Sequence, residues 1–315
     1  MVDNSLIIRP KALTQGSLIA LIAPAGPIVQ EQLDKAQKTL SDLGFRSCFT
    51  PDILARKGYL AGDDNIRLND LHHAFERQDI DAILCIRGGY GAARIVEKVD
   101  YKLIKKNPKI FIGYSDITVL LNAINQKTGL VTFHGVLGTS VFNEYTKRIF
   151  SAVLTNNTSG ELIKTVYPDD ISVINPGKAS GILAGGNLSI IASLAGTNFR
   201  VNFKDKIVFL EDIDEAPYRI DRMLTQLLLT GSLQNASAIV LGNFKGCDLD
   251  NQKITAGNSL SLQEVFADRL SNLKIPVVQG YSFGHSENQA LFPIGAKAII
   301  DSNVNGLMLC GPAVS

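Results

Sequence analysis

Short runs of aliphatic and β-branched residues alternate with segments of helical period along the first half of the chain. SLIALIAPAGP (Ser17 to Pro27) reads as a buried strand that ends in a Gly/Pro turn. The helix around EQLDKAQKTLSDLG follows it and stops at Gly44, a C-terminal glycine signal. A helix is expected near Asn65 to Gln78, then a strand over Ala82 to Ile86 that runs into the loop RGGYG. KIFIG (Lys109 to Gly113) is another strand, and Ile117, Leu120, Leu121 and Ile124 follow at i, i+3, i+4 and i+7. Strands alternating with helices predict an α/β fold with a parallel sheet in residues 1–150.

The pattern changes at 151–177, where NNTSGE, YPDD and NPG are loop chemistry, and this stretch is read as a linker. Beyond it, over 178–315, SGILAGG, KIVFLE, SAIVLGNF, PVVQGYSFG and AKAIID read as strands. One intervening helix gathers Ile220, Met223, Leu224, Leu227 and Leu228 on one face and ends at Gly231; another covers Leu262 to Leu270. Asn305-Gly306 predicts a tight hairpin turn. The second half is therefore a strand-rich α/β domain.

The 315 residues suffice for one large or two modest domains, and 45% hydrophobic with 19% charged residues fits a globular chain with a sizeable core. Thirty-one Lys and Arg against 30 Asp and Glu give a formal net charge of +1. That balance supplies no electrostatic footprint for nucleic acid or an anionic membrane, so a small substrate is expected. The four cysteines are far apart with no C-x-x-C pair, which suits a reducing compartment. No apolar run reaches the length of a membrane span, and the first residues lack a signal-peptide core, so a cytoplasmic protein is expected.

Ser115 follows the strand Lys109 to Gly113 and precedes a helix. A serine at such a turn is pushed outward beside helix N–H groups, although an ordinary helix cap has the same sequence appearance. The following Ile117 breaks the G-x-S-x-G pattern of α/β-hydrolases. RGGYG (Arg87 to Gly91) can bring backbone N–H groups close to a ligand. Its dinucleotide-binding reading is incomplete, because Arg94 stands where a glycine or alanine is needed. LEDIDEAPYRID clusters Glu211, Asp212, Asp214 and Glu215 ahead of a helix, where acidic residues suit the helix dipole. Glu211 ends an apolar run, so burial and a partner are expected for it. Among four histidines, His72 and His73 read as surface positions and His134 as a strand-end residue. His285 lies on a glycine-flanked loop where a substrate can reach it. Neither a metal nor a cofactor is expected, since no histidine pair has ligand spacing.

In order along the chain, IAPAGP (Ile22 to Pro27), RGGYGAAR (Arg87 to Arg94), GYSD (Gly113 to Asp116) and GGNLSIIASLAGT (Gly185 to Thr197) resemble the LD-carboxypeptidase family. FLEDIDEAPYRIDRML (Phe209 to Leu224), VLGNF (Val240 to Phe244) and FGHSENQALFPIGAKAII (Phe283 to Ile300) continue the resemblance. It implies a Rossmann-like N-terminal domain and a C-terminal domain with a small barrel-like sheet. It also implies a catalytic triad of Ser115, Glu211 and His285, with Glu211 preferred to Glu215 because it ends the strand. His134 is not carried over. On that chemistry the backbone N–H groups of Gly89 and Asp116 are the expected oxyanion hole, and Arg87 is the candidate cation for a substrate carboxylate. The implied reaction releases terminal D-alanine from a murein tetrapeptide (a muropeptide) by cutting an L,D bond, in a cytoplasmic homodimer.

Two other readings compete. The family also holds microcin-immunity-type peptidases that cleave acyl nucleotides; the absence of tryptophan removes the best nucleobase platform. A non-catalytic nucleotide-binding module using RGGYG is the alternative from another class.

Overall fold

In the computed structural model, which describes residues 7–155, 162–167, 170–248 and 259–315, the chain divides into two compact units. The first comprises Met1–Thr158, Leu291–Gly295 and Pro312–Ser315; the second comprises Ser159–Ala290 and Ala296–Gly311.

The first unit is built on β1 (Leu18–Ile22), β2 (Arg46–Cys48), β3 (Ala82–Cys85), β4 (Ile110–Gly113) and β5 (Thr132–His134). All pair in parallel, in the order β5-β4-β3-β1-β2. β1, β3 and β4 are wholly buried, which explains their uninterrupted apolar sequences. The helices α1 (Gln30–Asp42), α2 (Asp64–Glu76), α3 (Ala92–Ile95), α4 (Tyr101–Lys106), α5 (Thr118–Thr128) and α6 (Glu144–Leu154) complete it. The end of α1 shows how glycine sets an element. Gly44 takes φ +83°, its N–H bonds Ser41 O at 2.9 Å, and Phe45 N–H bonds Leu40 O at 2.9 Å. This is a Schellman closure of the helix. Asp63 caps α2 by accepting from Asn65 and Ile66 N–H. Because β4, β3 and β1 are parallel neighbours, the loops after them, GYSD, RGGYG and IAPAGP, gather at the carboxyl edge of one sheet. That is the edge at which open α/β sheets bind ligands.

The second unit carries β6 (Leu162–Lys164), β7 (Ser172–Asn175), β8 (Lys178–Asn187), β9 (Lys206–Ile213), β10 (Ala238–Lys245) and β11 (Val277–Gly284). β12 (Phe292–Ile294), β13 (Lys297–Asp301) and β14 (Gly306–Leu309) follow in the chain. Its eight-stranded sheet runs β6-β14-β13-β8-β9-β10-β11-β7 and curls into a half-barrel. The central strands β8 to β11 are parallel and the outer pairings antiparallel. α7 (Leu188–Leu194), α8 (Pro217–Leu229) and α9 (Leu262–Leu270) bury Leu188, Ile220, Leu224, Leu227, Val265 and Phe266 in its core. The α/β class and the strand-rich second half expected from the sequence are therefore both found.

Three local features differ from the sequence reading. β12 lies within 178–315 yet pairs antiparallel with β5, Phe292 opposite His134, as the sixth strand of the first sheet. The stretch 151–177 contains the end of α6 and two short edge strands, β6 and β7; three- and four-residue edge strands leave little alternation to read. The hairpin at Asn305-Gly306 turns over Ser302 to Asn305, with Gly306 the first residue of β14. Gly306 has no room for a side chain, since a Cβ there would lie 2.9 Å from Leu162 Cδ1. Among the described residues no helix is long and apolar enough to cross a membrane.

Candidate functional site

Ser115 sits where β4 turns into α5. Tyr114 is extended, Ser115 takes φ +62°, and a single 3-10 turn over Ser115–Ile117 leads into α5. A left-handed conformation costs a residue with a Cβ on the order of 1–2 kcal/mol and needs support from its surroundings. An ordinary N-cap serine is extended and accepts from the helix, whereas Ser115 does neither: the N-cap position of the turn is Tyr114, with no side-chain cap. The turn is tight enough to demand glycine at 113, where a Cβ would lie 2.7 Å from Ile117 Cγ2.

The glycine loop lies directly against this serine. A Cβ on Gly88 would be 2.9 Å from Ser115 Cβ, 3.0 Å from its Oγ and 3.4 Å from Asp116 N. Gly89 adopts φ +98°, and the Gly88 carbonyl is held by Gly26 N–H at 2.9 Å. Arg87 is exposed and donates from Nη1 to Pro27 O at 2.9 Å, which ties the glycine loop to the loop after β1. Two buried charged groups fix the far end of the loop. Asp116 accepts from Ala92 N–H at 2.8 Å, and burial pushes its carboxyl up to about 6, against the pull of the Ala92 and Gly91 N–H groups and Arg67. Arg67, 1% exposed, donates to Pro24 O at 2.9 Å and Gly91 O at 2.7 Å and pairs with Asp64. Sequence reading missed Arg67, because a cation on a polar helix ordinarily faces water.

In the second unit, Glu211 lies within β9 with no solvent exposure, and His285 follows β11 directly. His285 Nδ1 and Glu211 Oε2 are 2.7 Å apart. They meet over β10, which lies between their strands and breaks register after Leu241 with both of them. Gly284 makes the approach possible. It takes φ +96°, and a Cβ there would lie 2.7 Å from both Glu211 Cβ and Oε2. Its carbonyl accepts from Gln289 Nε2 at 3.0 Å. An ionised carboxylate accepting from Nδ1–H leaves Nε2 as the basic nitrogen of the ring. Glu211 Oε1 has no hydrogen-bond partner among the described residues.

The other carboxylates of the acidic run have different work. Asp212 points to the opposite face and accepts from Asn187 Nδ2 (3.0 Å), Ser189 N–H (2.9 Å) and Ser189 Oγ (2.6 Å). It thereby fastens β9 to the start of α7, and burial pushes its carboxyl up to about 6. Asp214 takes φ +55° in the turn after β9, and Glu215 pairs with Arg219 at 3.3 Å. His134 is fully buried in β5 with its ring edge-on to Tyr114. His72, read as a surface residue, is half-buried and accepts from Asp100 N–H at 2.9 Å; burial lowers its pKa. Among the described residues no group of three or more His, Cys, Asp and Glu is placed to hold a metal ion.

Comparison with known proteins gives matches along most of the chain. Residues 19–135 match the model of the LD-carboxypeptidase N-terminal domain, and residues 180–300 that of the LD-carboxypeptidase C-terminal domain. The chain is 41% identical over 303 residues to a probable murein peptide carboxypeptidase of Bacillus subtilis (strain 168), covering 95% of this chain and 93% of the relative. A crystal structure of muramoyltetrapeptide carboxypeptidase from Oxalobacter formigenes superposes with a TM-score of 0.83 at 30% identity, over 95% of this chain and all of the other. The structure of an MccF-like protein from Bacillus anthracis (strain Ames) has the same TM-score and identity, over 96% and 99% of the two chains.

Proposed function

Because the chain belongs to the LD-carboxypeptidase family, we propose that it is a serine carboxypeptidase that releases terminal D-alanine from murein tetrapeptides, free or muramoyl-linked. One observation carries the reading: Oε2 of buried Glu211 stands 2.7 Å from Nδ1 of His285, which supports their assignment as the orienting half of a nucleophilic triad.

Ser115 supplies the nucleophile. Its Oγ attacks the carbonyl of the L,D bond while His285 Nε2 takes the hydroxyl proton, and Glu211 holds Nδ1–H and stabilises the imidazolium. The N–H groups of Gly89 and Asp116 receive the developing oxyanion; the approach of the glycine loop to Ser115, with no space for a Cβ at Gly88, supports this. The proton on His285 then passes to the leaving D-alanine amine, and water hydrolyses the acyl-serine by the reverse sequence. Arg87 is the candidate for the substrate's terminal carboxylate, its exposed guanidinium oriented by one bond to Pro27 O. Family membership supports a homodimer working in the cytoplasm on recycled wall fragments.

A microcin-immunity-type reading draws on the likeness to the MccF-like protein. One assay separates the two. Incubation with an L,D-linked tetrapeptide is expected to give tripeptide and D-alanine by mass spectrometry. Cleavage of an acyl-adenylate without release of D-alanine would favour the microcin-immunity chemistry, and cleavage of neither would overturn the enzyme reading.

A further inference from the structure

Two tyrosines stand beside the glycine loop and take no part in the chemistry above. Tyr59 is 67% exposed and Tyr90 is 50% exposed, yet their rings meet edge-on with centroids 5.6 Å apart. Exposed aromatic rings held together in this way mark a recognition surface more often than a packing defect.

Both tyrosines stand on anchored backbone. Tyr59 sits on the Lys57-to-Leu60 turn, closed by Lys57 N–H to Leu60 O at 2.9 Å and Leu60 N–H to Lys57 O at 3.1 Å. Leu60 is buried against the glycine loop, where a Cβ on Gly91 would lie 2.6 Å from its Cδ2. Tyr90 belongs to the loop itself. The backbone beneath the pair is therefore fixed before any ligand arrives, which lowers the entropy lost on binding. Beside it, Arg94 is engaged by Asp64 through Nε to Oδ1 at 3.0 Å and Nη2 to Oδ2 at 3.2 Å.

We propose that Tyr59 and Tyr90 form the subsite for the muramoyl sugar of the substrate. The proposal rests on the carboxypeptidase reading and specifies which form of the substrate the site takes. A pyranose ring offers a face of C–H groups and a rim of hydroxyl and acetamido groups. A tyrosine offers a matching apolar face and a polar tip. A nucleotide would need a cation for its phosphate; the charge of Arg94 is already met by Asp64, and the exposed Arg56 and Lys57 that precede Tyr59 make adenosine the competing ligand in the test below. Length also agrees. Gly88 touches Ser115, and Tyr90, two residues on, has its Cα at most about 7 Å from that of Gly88. The three residues that precede the scissile bond span on the order of 10 Å before the sugar begins. A tyrosine side chain adds several ångströms, which brings its ring within that range.

The test compares kcat/KM for N-acetylmuramoyl-tetrapeptide and for the free tetrapeptide. The wild-type enzyme is expected to prefer the muramoyl form. Tyr59→Ala and Tyr90→Ala should lower that ratio about three- to tenfold through KM, the scale of one aromatic contact, and Tyr59→Phe should keep it. Tyr59 lies outside RGGYG, so its variants separate sugar binding from any disturbance of the loop. An unchanged ratio in both alanine variants, or no preference in the wild type, would overturn the assignment. Saturation-transfer NMR with N-acetylmuramic acid judges the subsite independently, even if neither peptide is cleaved. Transfer that is lost in Tyr59→Ala supports the proposal. Absence of transfer to the wild type, or transfer to adenosine instead, overturns it.

Discussion

Nδ1 of His285 and Oε2 of Glu211 lie 2.7 Å apart, with the carboxylate wholly removed from solvent. The contact orients the ring, with Nδ1 turned to the carboxylate. Glu211→Gln preserves shape but removes the charge that stabilises an imidazolium. For the proposed triad a fall in kcat of about 10²–10⁴ is expected, and steady-state kinetics on the tetrapeptide checks it.

Gly284 is the device that permits this contact. Gly284→Ala introduces a Cβ 2.7 Å from Glu211 Oε2 at a residue with φ +96°. The variant is expected to be less stable by about 1–3 kcal/mol and to lose more than tenfold in kcat. Urea unfolding and kinetics on the same sample measure both. A variant as active as the wild type would show that the His285–Glu211 spacing is not needed.

Ser115 holds a left-handed conformation that glycine adopts freely. Ser115→Gly is therefore expected to abolish turnover while raising stability by up to about 1 kcal/mol, the strain being relieved. A loss of stability on this substitution would mean that the hydroxyl has a structural role. Thermal denaturation decides it.

Asp116 and Asp212 both titrate at about 6 in the folded chain because of burial. In the unfolded chain they titrate near pH ~4, so the folded state binds their protons more tightly. Their contribution is complete below the unfolded value and is lost as pH rises through the folded one. Carboxylates such as Asp64, held low by Arg94, act in the opposite sense. The informative quantity is the difference between wild type and Asp116→Asn, whose amide oxygen can still accept from Ala92. Relative to the variant, the wild type is expected to lose on the order of 2–3 kcal/mol between pH about 4 and about 6. Urea unfolding across that range measures it, and a flat difference would contradict the burial of Asp116.

Arg67 is buried beneath the glycine loop with bonds to Pro24 O and Gly91 O. Arg67→Met leaves the Pro24 carbonyl without its donor and removes one of the donors to Gly91 O and to Asp64, which keep Arg94 N–H and the Arg94 side chain; a loss of about 2 kcal/mol is expected. Equilibrium urea unfolding provides the check.

The sequence made the parallel strands legible because both faces of β1, β3 and β4 are covered and each becomes an unbroken apolar run. Helix ends were legible where a glycine closes them, as at Gly44. Long-range pairing was not. Phe292–Ile294 is three residues long, one of them proline, and nothing local says that it returns to the first sheet beside β5. The partnership of Glu211 with His285 spans 74 positions, so only the ordered family motifs connected them. The inward turn of Arg67 and the separate task of Asp212 escaped notice for a related reason. A charged side chain has the same letter whether it faces water or a buried carbonyl, and its partner decides which.

Ser115 is the proposed activated nucleophile, and its reactivity can be read directly. Treatment with a fluorophosphonate probe followed by peptide mass mapping is expected to place the adduct on Ser115 in the wild type. It should be absent in Ser115→Ala and strongly reduced in His285→Ala. Labelling at another residue, or labelling of Ser115 that His285→Ala leaves untouched, would contradict it.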